Sequence, residues 1–401
     1  MKKAALCLML ASLFLTLSGC CGGQEIESCL FVLSMAVDPA PEGNLTVTVK
    51  ALSGTQEAAE GSIAASSGGS ADRAGIPGDE SAKESGIEET EPGYIVMSAT
   101  AKSCLRALNL LSATTPRTVN LSQLREIVLS RTLAETDATL TILKEIHAMY
   151  RANGEAIVVV TPDDAGDFIR RQRAILGVRL SKYLEVLFDH FSELDTIPPN
   201  AQLASVIAAM ESGTTDAATV YAAGNSFSGT LALATESDLD RLPGHLPRTS
   251  PAENEYLGSA LFSGPRMTGV LTGEETGLLL LMMGKAQRRT TFIGDAQYKT
   301  NLRTRVTRSL GGKDGALEVC VRMNLTRIAG DAYEAPERIA QRIEQACVNV
   351  LRKLQAASCD AISFGHIAIR SCLTIPQWEE KNWPLIYETL PVRVSAKVKI
   401  P

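Results

Sequence analysis

The chain has 401 residues, of which 45% are hydrophobic and 21% are charged, and its formal net charge is −6. This composition excludes a chain that is disordered throughout. No apolar run beyond the N-terminus reaches the ~18–20 residues of a membrane-spanning helix. Because basic residues are dispersed and the net charge is negative, we expect no nucleic-acid binding. Nine cysteines in a chain of this length are too few for a disulfide scaffold, and most are expected to be small buried side chains.

The N-terminus has the three parts of a secretory signal peptide. Lys2 and Lys3 supply positive charge, residues 4–17 are uncharged and largely apolar, and the sequence Leu-Ser-Gly-Cys ending at Cys20 matches the bacterial lipobox. In that motif the cysteine thiol accepts a diacylglycerol. We therefore predict a signal peptide over 1–19 and lipidation of Cys20, which would anchor the mature chain outside the cytoplasmic membrane. An ordinary signal peptide or a short N-terminal anchor is the alternative.

The segment from 20 to 197 predicts strands that alternate with helices. This order favours a mixed α/β (α+β) domain with helices flanking a sheet. The predicted strands are 28–38, 45–49, 94–100, 126–129 and 155–161, and the predicted helices are 102–112, 132–151, one that starts at 162–164, and 179–193.

Residues 53–92 have a different composition from the rest of this segment. They contain nine acidic and two basic residues, no aromatic residue, and few large apolar side chains. Such a segment cannot bury enough apolar surface to offset its ordering entropy. We predict a disordered insertion.

Pro198-Pro199 marks a predicted boundary, and the pattern changes again near residue 287. The predictions are an N-terminal domain over 20–197, a middle domain over 198–286 and a C-terminal α+β domain over 287–401. In the middle domain we expect a helix at 200–211, strands at 217–223, 229–235 and 257–262, a hairpin partner at 266–271 and an apolar helix at 274–283. In the C-terminal domain, alternation over 317–325 and 390–400 predicts an antiparallel sheet, and 334–357 an amphipathic helix.

The search for catalytic and metal-binding patterns is negative. Residues 310–314 resemble half of a phosphate loop and 224–228 fail the nucleophile-elbow pattern at the last position. None of the four histidines has another at ligand spacing. The acidic pairs 163–164 and 274–275 are explained by helix starts, and 170–173 by a solvated helix face. We therefore predict no catalytic residue, cofactor or metal site, and a binding or signalling protein rather than an enzyme.

Several blocks of the chain resemble the C-subunit lipoproteins of spore germinant receptors, the Ger(x)C family. The resemblance begins with Cys20, Glu25-Ile26 and a strand ending at Asp38, and continues with the Ser-Ala-Thr of 98–100. Its most specific block is 258–285, and its end covers Asp360 to Trp383. Within these blocks the matching residues are Gly258, Phe262, Gly269, Leu271, Glu275, Thr276, Gly284, Asp360, Gly365, Pro376, Trp378 and Trp383.

The resemblance implies three mixed α/β domains and a lipid anchor at the outer face of the inner spore membrane. It implies germinant-receptor A and B membrane subunits as partners in nutrient sensing, and it supplies no catalytic residues. Two other classes stay open: a substrate-binding lipoprotein of a transport system, and a lipid-anchored hydrolase. The first would need two similar lobes, and the second a catalytic constellation.

Overall fold

The computed structural model describes most of the chain beyond the N-terminus. The described residues are 28–53, 88–91, 93–149, 152–175, 179–226, 239–248, 253–286, 290–293, 296–300, 304–311, 315–329 and 335–400. The lipidation site predicted at Cys20, most of the predicted insertion and the strand predicted at 229–235 lie outside these residues.

A ten-stranded sheet forms the larger part of the molecule, in the order β10-β9-β8-β7-β6-β1-β2-β4-β3, with β5 paired to β1. Strands β1, β6, β7 and β8 run parallel, while the other pairs in the main order are antiparallel. The strands are β1 Cys29–Ala40, β2 Asn44–Leu52, β3 Glu88–Glu91, β4 Tyr94–Ala101, β5 Thr118–Asn120, β6 Glu126–Ser130, β7 Ile157–Thr161, β8 Ala218–Gly224, β9 Asn254–Ser263 and β10 Arg266–Leu271.

Helices cover both faces of this sheet, because the central strands are apolar on both sides. Along β1, Met35 and Val37 face one core while Leu33 and Ala36 face the other. The first core lies beneath α1 Cys104–Ala113, α3 Ala138–Ala148 and α6 Leu203–Ser212, and the second beneath α4 Ala165–Arg171 and α5 Leu180–Glu193. A short helix, α2 Arg131–Ala134, precedes α3. Parallel strands buried on both faces are typical of such three-layer arrangements.

A second, five-stranded sheet forms the C-terminal part in the order β11-β12-β14-β13, with β15 paired to β14. Its strands are β11 Thr290–Ile293, β12 Ala296–Thr300, β13 Arg305–Gly311, β14 Ala316–Ala329 and β15 Val392–Lys399. The helices are α7 Gly273–Met283, α8 Pro336–Ala356, α9 Gly365–Ala368, α10 Ile375–Lys381 and α11 Trp383–Thr389. The inner stripe of α8 is buried, as its amphipathic pattern predicts.

One core connects the two sheets. It contains Leu261 of β9 and Leu271 of β10 together with the buried faces of α7, α8 and β14. The first sheet is not interrupted at Pro198-Pro199, because β8, β9 and β10 continue it beyond that point. The division into three domains stays a prediction.

The mixed α/β fold is confirmed, with three local corrections. The single helix predicted over 132–151 is wrong: α2 ends at Ala134 and α3 begins at Ala138. The buried hydroxyl of Thr139 lies within hydrogen-bond distance of the carbonyls of Leu133, Ala134 and Thr136 and shares its one proton among them, so it offers a donor to the end of α2, where the helix stops.

The prediction that the C-terminal sheet is antiparallel holds for the pairs among β11, β12, β13 and β14, and it is wrong for β15. β15 runs parallel to β14, with Leu317 opposite Val392 and Met323 opposite Val398. Alternation along a strand reports which face is buried and not the direction of the neighbouring strand. The long connection through α8 to α11 gives the chain room to return in the same direction.

The predicted insertion over 53–92 is too long at its C-terminal end. Residues 88–91 form β3, with Glu88 opposite Val96 and Glu91 opposite Tyr94 of β4. A strand that pairs only through its backbone needs no apolar side chains, so composition did not reveal it.

Because the insertion contributes no core side chains by its composition, we expect that most of it can be deleted while the fold remains intact. Removing 56–85 shortens the connection between β2 and β3, and closing a flexible connection costs only ~0.6 kcal/mol more for each doubling of its length. We expect the melting temperature to stay within a few degrees, measured by circular dichroism. A matched deletion of 56–92 also removes β3 and should lower the melting temperature clearly. Loss of cooperative unfolding in the shorter deletion would contradict the prediction.

Candidate functional site

Buried polar side chains gather at two places in the molecule. The first, the Lys50 cluster, consists of Ser34, Lys50, Glu126, Gln172 and Tyr256, and lies between the first sheet and the end of α4. All five side chains are buried, with Lys50 and Glu126 at 0% exposure. An ammonium group and a carboxyl group inside a protein are costly unless each is hydrogen-bonded.

Gln172 is the centre of the Lys50 cluster. Its amide Nε2 donates to Glu126 and to the Tyr256 hydroxyl, its Oε1 accepts from Ser34 Oγ, and its backbone carbonyl accepts from Lys50 Nζ. Burial raises the pKa of Glu126 and that of Tyr256. The cluster ties the end of α4 to strands β1, β2, β6 and β9.

The Lys50 cluster corrects the interpretation of residues 170–173 as a solvated helix face. Arg170 and Arg171 do form surface ion pairs with Asp167 and Asp163. Gln172, however, lies just past the end of α4 and points into the cluster. In the sequence, the arginines on both sides of Gln172 look like a solvent-facing basic run, so the inward direction of the Gln172 side chain could not be predicted.

The second place is the contact between the two sheets, which we call the Asp360 junction. It joins residues 214–217, which lead into β8, to residues 357–365, which follow α8. The carboxylate of Asp360 accepts from the backbone N–H of Phe364 at 2.9 Å and of Gly365 at 2.6 Å, and from Trp383 Nε1 at 3.0 Å. One buried carboxylate thus fixes the start of α9 and the start of α11.

Asp216 completes the Asp360 junction from the side of the first sheet. Its carboxylate accepts from the backbone N–H of Asp360 at 2.9 Å and of Gly264 at 3.0 Å, while its own N–H donates to the Asp360 carbonyl at 3.2 Å. The hydroxyl of Thr215 donates to the same carbonyl. Gly365 lies so close to Thr214 that a Cβ at position 365 would meet the Thr214 carbonyl oxygen at 2.4 Å.

The two carboxyl groups of the junction have unusual acidities. Burial raises the pKa of Asp360 from 3.8 to about 7, although its N–H donors oppose this, and the nearby Asp216 adds to the rise. Burial also raises the pKa of Asp216. Asp360 therefore exchanges its proton near neutral pH, yet every carboxylate oxygen of the two acids accepts a hydrogen bond from a fixed N–H group. The geometry therefore suits a structural connection better than proton transfer to a substrate.

A cavity of about 440 Å³ lies beside the junction. Its lining combines small side chains of α6 and the start of β8 with Met283 of α7, and includes the polar residues Ser205, Asp216, Ser363 and His366. His366 is exposed, and among the described residues no group of three or more His, Cys, Asp or Glu side chains could hold a metal ion. The cavity can accept a small polar molecule, but it presents no nucleophile paired with a base.

Residues of the block 258–285 form the part of the chain that lies next to the Asp360 junction. Gly258 has φ +90°, and a Cβ there would meet the Leu271 carbonyl oxygen at 2.2 Å, so only glycine fits. Thr272 and Glu275 form a capping box at the start of α7, and Thr276 bonds to Ser259. The acidic pair 274–275 is therefore explained by capping, as predicted.

In the other predicted helix-start pair, only one acid caps the helix. Asp164 caps α4 by accepting from the Asp167 N–H, whereas Asp163 accepts from Arg171 at the end of α4 and from the Gly224 N–H of β8. Asp38, near the end of β1, accepts from the N–H groups of Ala165 and Gly166. Asp38 and Asp164 therefore stabilise the first turn of α4.

Sequence reasoning missed most of the residues that form the two clusters. Lys50, Glu126, Asp216 and Tyr256 stand in segments that look like ordinary strands, loops or loop ends. Their hydrogen-bond partners named above lie 46 or more residues away in the chain. Only Asp360, Gly365 and Trp383 carried a signal, through the resemblance of the C-terminal block.

Comparisons with known proteins cover nearly all of the described chain. A family model described as the spore germination protein N-terminal domain matches residues 22–223, and one described as spore germination B3/GerAC like, C-terminal, matches residues 257–401. A solved structure titled "Crystal Structure of the GerBC protein" is 12% identical, with 91% of this chain and 96% of that chain covered and a TM-score of 0.46. No curated protein matches the chain significantly.

The raised pKa of Asp360 predicts how stability depends on pH. Because this acid binds its proton more tightly in the folded state, unfolding free energy should fall as pH rises from about 4 to about 7, by on the order of a few kcal/mol. Asp360→Asn should reduce this slope in denaturant titrations at several pH values. Thr215→Ala, which removes a non-titrating partner, should lower stability but keep the slope. An unchanged slope in Asp360→Asn would contradict the assignment.

The two tryptophans should differ in their contribution to stability. Trp383 is 4% exposed and bonded to Asp360, whereas Trp378 is half-buried and stacks on it with ring centroids 6.0 Å apart. We expect Trp383→Ala to cost ~3–5 kcal/mol of unfolding free energy in denaturant titrations. Trp378→Ala should cost distinctly less, since part of its ring is already in water. Equal losses would contradict this difference.

Proposed function

Because the chain belongs to the spore germination GerAC family, we propose that it is the lipid-anchored C subunit of a nutrient germinant receptor. It acts in germination signalling at the outer face of the inner spore membrane, beside the receptor's A and B membrane subunits. The observation that carries the proposal is the pair of family matches over 22–223 and 257–401, which together span nearly all of the chain after the lipobox.

The lipobox supports the proposed anchor. Cys20 directly follows Leu-Ser-Gly, and the N-terminal family match begins two residues later. None of the helices within the described part of the chain is long and apolar enough to cross a bilayer. A diacylglycerol with a further acyl chain on Cys20 gives stable membrane attachment, since each buried CH₂ contributes ~0.8 kcal/mol.

We propose that the subunit works by binding and not by catalysis. Asp360 and Asp216, the acids with raised pKa beside the cavity, are both engaged by backbone N–H groups of the junction. Such groups hold parts of the chain together. A catalytic acid or base needs a free oxygen within reach of a substrate proton.

A substrate-binding lipoprotein of a transport system is the alternative, and the fold favours it less. That class closes two similar lobes over its ligand. This chain instead joins a ten-stranded sheet covered on both faces to a five-stranded sheet of different topology.

The proposal is tested by exchanging neighbouring cysteines in a spore-forming host. Cys20→Ala should abolish incorporation of labelled palmitate and leave an unprocessed precursor. Cys21→Ala is the matched control and should behave as wild type. The wild-type chain should also co-purify with A and B subunits from detergent extracts, and spores carrying Cys20→Ala should respond poorly to nutrients.

Two outcomes would contradict parts of the proposal separately. Normal labelling of Cys20→Ala would refute lipidation at that residue. Normal labelling of wild type combined with co-purification of transport ATPase components, in place of A and B subunits, would favour the transport class.

A further inference from the structure

The segment after the junction exposes aliphatic side chains. We call residues 373–389, which contain α10, Asn382 and α11, the C-terminal hairpin. Leu373 is 92% exposed, Ile375 73% and Leu385 62%. These are the three most exposed large hydrophobic side chains of the described residues, and all three lie in this one hairpin. Scattered exposed aliphatics are ordinary, whereas a group of this kind marks an interaction surface.

The hairpin turns these side chains outward because its aromatic residues take the inward positions. Trp383 and Tyr387 of α11 are buried against the junction, and Trp378 of α10 stacks on Trp383. Asn382, at φ 47°, links the two helices, and Thr374 caps α10. The exposed Leu373, Ile375 and Leu385 therefore belong to a segment that is packed against the rest of the molecule through its aromatic residues.

The position of the hairpin follows from the direction of the strands. Strands β1, β6, β7 and β8 are parallel, so they all start at the same edge of the first sheet. Asp216 stands just before β8 at that edge and binds Asp360, which in turn binds Trp383 of the hairpin. The hairpin therefore lies at the edge where β1 begins.

That edge is also the one nearest to the proposed lipid anchor. Two strands lie between β1 and β8, which are therefore ~14 Å apart across the sheet, and the register sets the start of β8 level with Ser34, ~16 Å along β1 from Cys29. Nine residues connect Cys20 to Cys29, and even a fully extended chain of that length reaches only ~30 Å. This step rests on the lipidation of Cys20 given under the proposed function. A bilayer that holds Cys20 is within reach of the hairpin.

The charges around the hairpin bear on the kind of surface it suits. Within 373–389, Glu379, Glu380 and Glu388 outnumber the single basic residue Lys381, so the hairpin has little attraction for an anionic surface. Its exposed side chains are aliphatic, which suits insertion among lipid chains, and the partly buried indole of Trp378 suits the interfacial level.

We propose that the C-terminal hairpin is a second membrane contact, in which Leu373, Ile375 and Leu385 insert into the outer leaflet beside the lipid anchor. This contact fixes the orientation of the subunit on the membrane, which a flexible single-point anchor does not. Its strength comes from apolar insertion and not from anionic headgroups.

The test replaces the natural anchor, so that its outcome does not depend on lipidation. The mature chain with Cys20→Ser and a histidine tag at its amino end is held on phosphatidylcholine vesicles by a nickel-chelating lipid. The vesicles contain brominated phosphatidylcholine, which quenches nearby indoles. The chain's only two tryptophans, Trp378 and Trp383, both lie in the hairpin, so they report on it directly. Tethering supplies the high effective concentration of the anchored protein.

We expect bromine-dependent quenching of the tethered chain, unchanged by a tenfold rise in salt. Leu373→Ser with Ile375→Ser should lose at least half of that quenching. The control pair Leu110→Ser with Val186→Ser removes side chains that are 51% and 49% exposed on α1 and α5, and should keep it. Because all four positions are exposed, the variants should melt as wild type does.

Three results would overturn the proposal. The first is equal indole emission with and without bromine, which is the result expected if the hairpin binds a protein subunit of the receptor and not the membrane. The second is equal loss of quenching in the control pair. The third is quenching that disappears at high salt, which would indicate electrostatic attraction. Lipidation is tested separately by the labelling of Cys20, so failure of the membrane contact can be distinguished from failure of lipidation.

Discussion

The buried carboxylate of Asp360 is the constraint on which the arrangement of the two sheets depends. A carboxyl group at 1% exposure is unfavourable unless donors surround it. Phe364, Gly365 and Trp383 supply those donors, and each can do so only in one backbone position. The need to satisfy one acid therefore fixes the turn after α8, the start of α9 and the start of α11. Asp216 extends the same network into the first sheet.

The Lys50 cluster has the corresponding role inside the N-terminal part. A buried lysine and a buried glutamic acid are tolerated there because Gln172 and Tyr256 satisfy them across four strands and one helix end. Buried polar networks of this kind demand one arrangement of their elements, since partial satisfaction is costly. In both networks, the acids with raised pKa are hydrogen-bonded to other groups of the chain, so they stabilise the fold.

In this architecture, the residues shared with the family pattern position one helix between the two sheets. The residues that match the family pattern over 258–285 make a close backbone contact at Gly258 and a capping box at Glu275. They hold α7 between the sheets, where its apolar faces are buried on both sides. What the molecule offers outward is a small cavity beside the junction and an exposed aliphatic hairpin at the edge where β1 begins.

The sequence by itself determined the strands and helices with strong periodicity, including the α8 stripe, the β9–β10 hairpin and the capped start of α7. Burial period and capping chemistry are local, so they can be read along the chain. The tertiary structure alone decided the parallel placement of β15, the pairing of β3, the break between α2 and α3, and the partners of Lys50 and Asp216. Each depends on a group distant in sequence or on backbone hydrogen bonds, and neither leaves a periodic pattern. Asp360 and Trp383 could be singled out by resemblance, but only the fold shows that they bind each other.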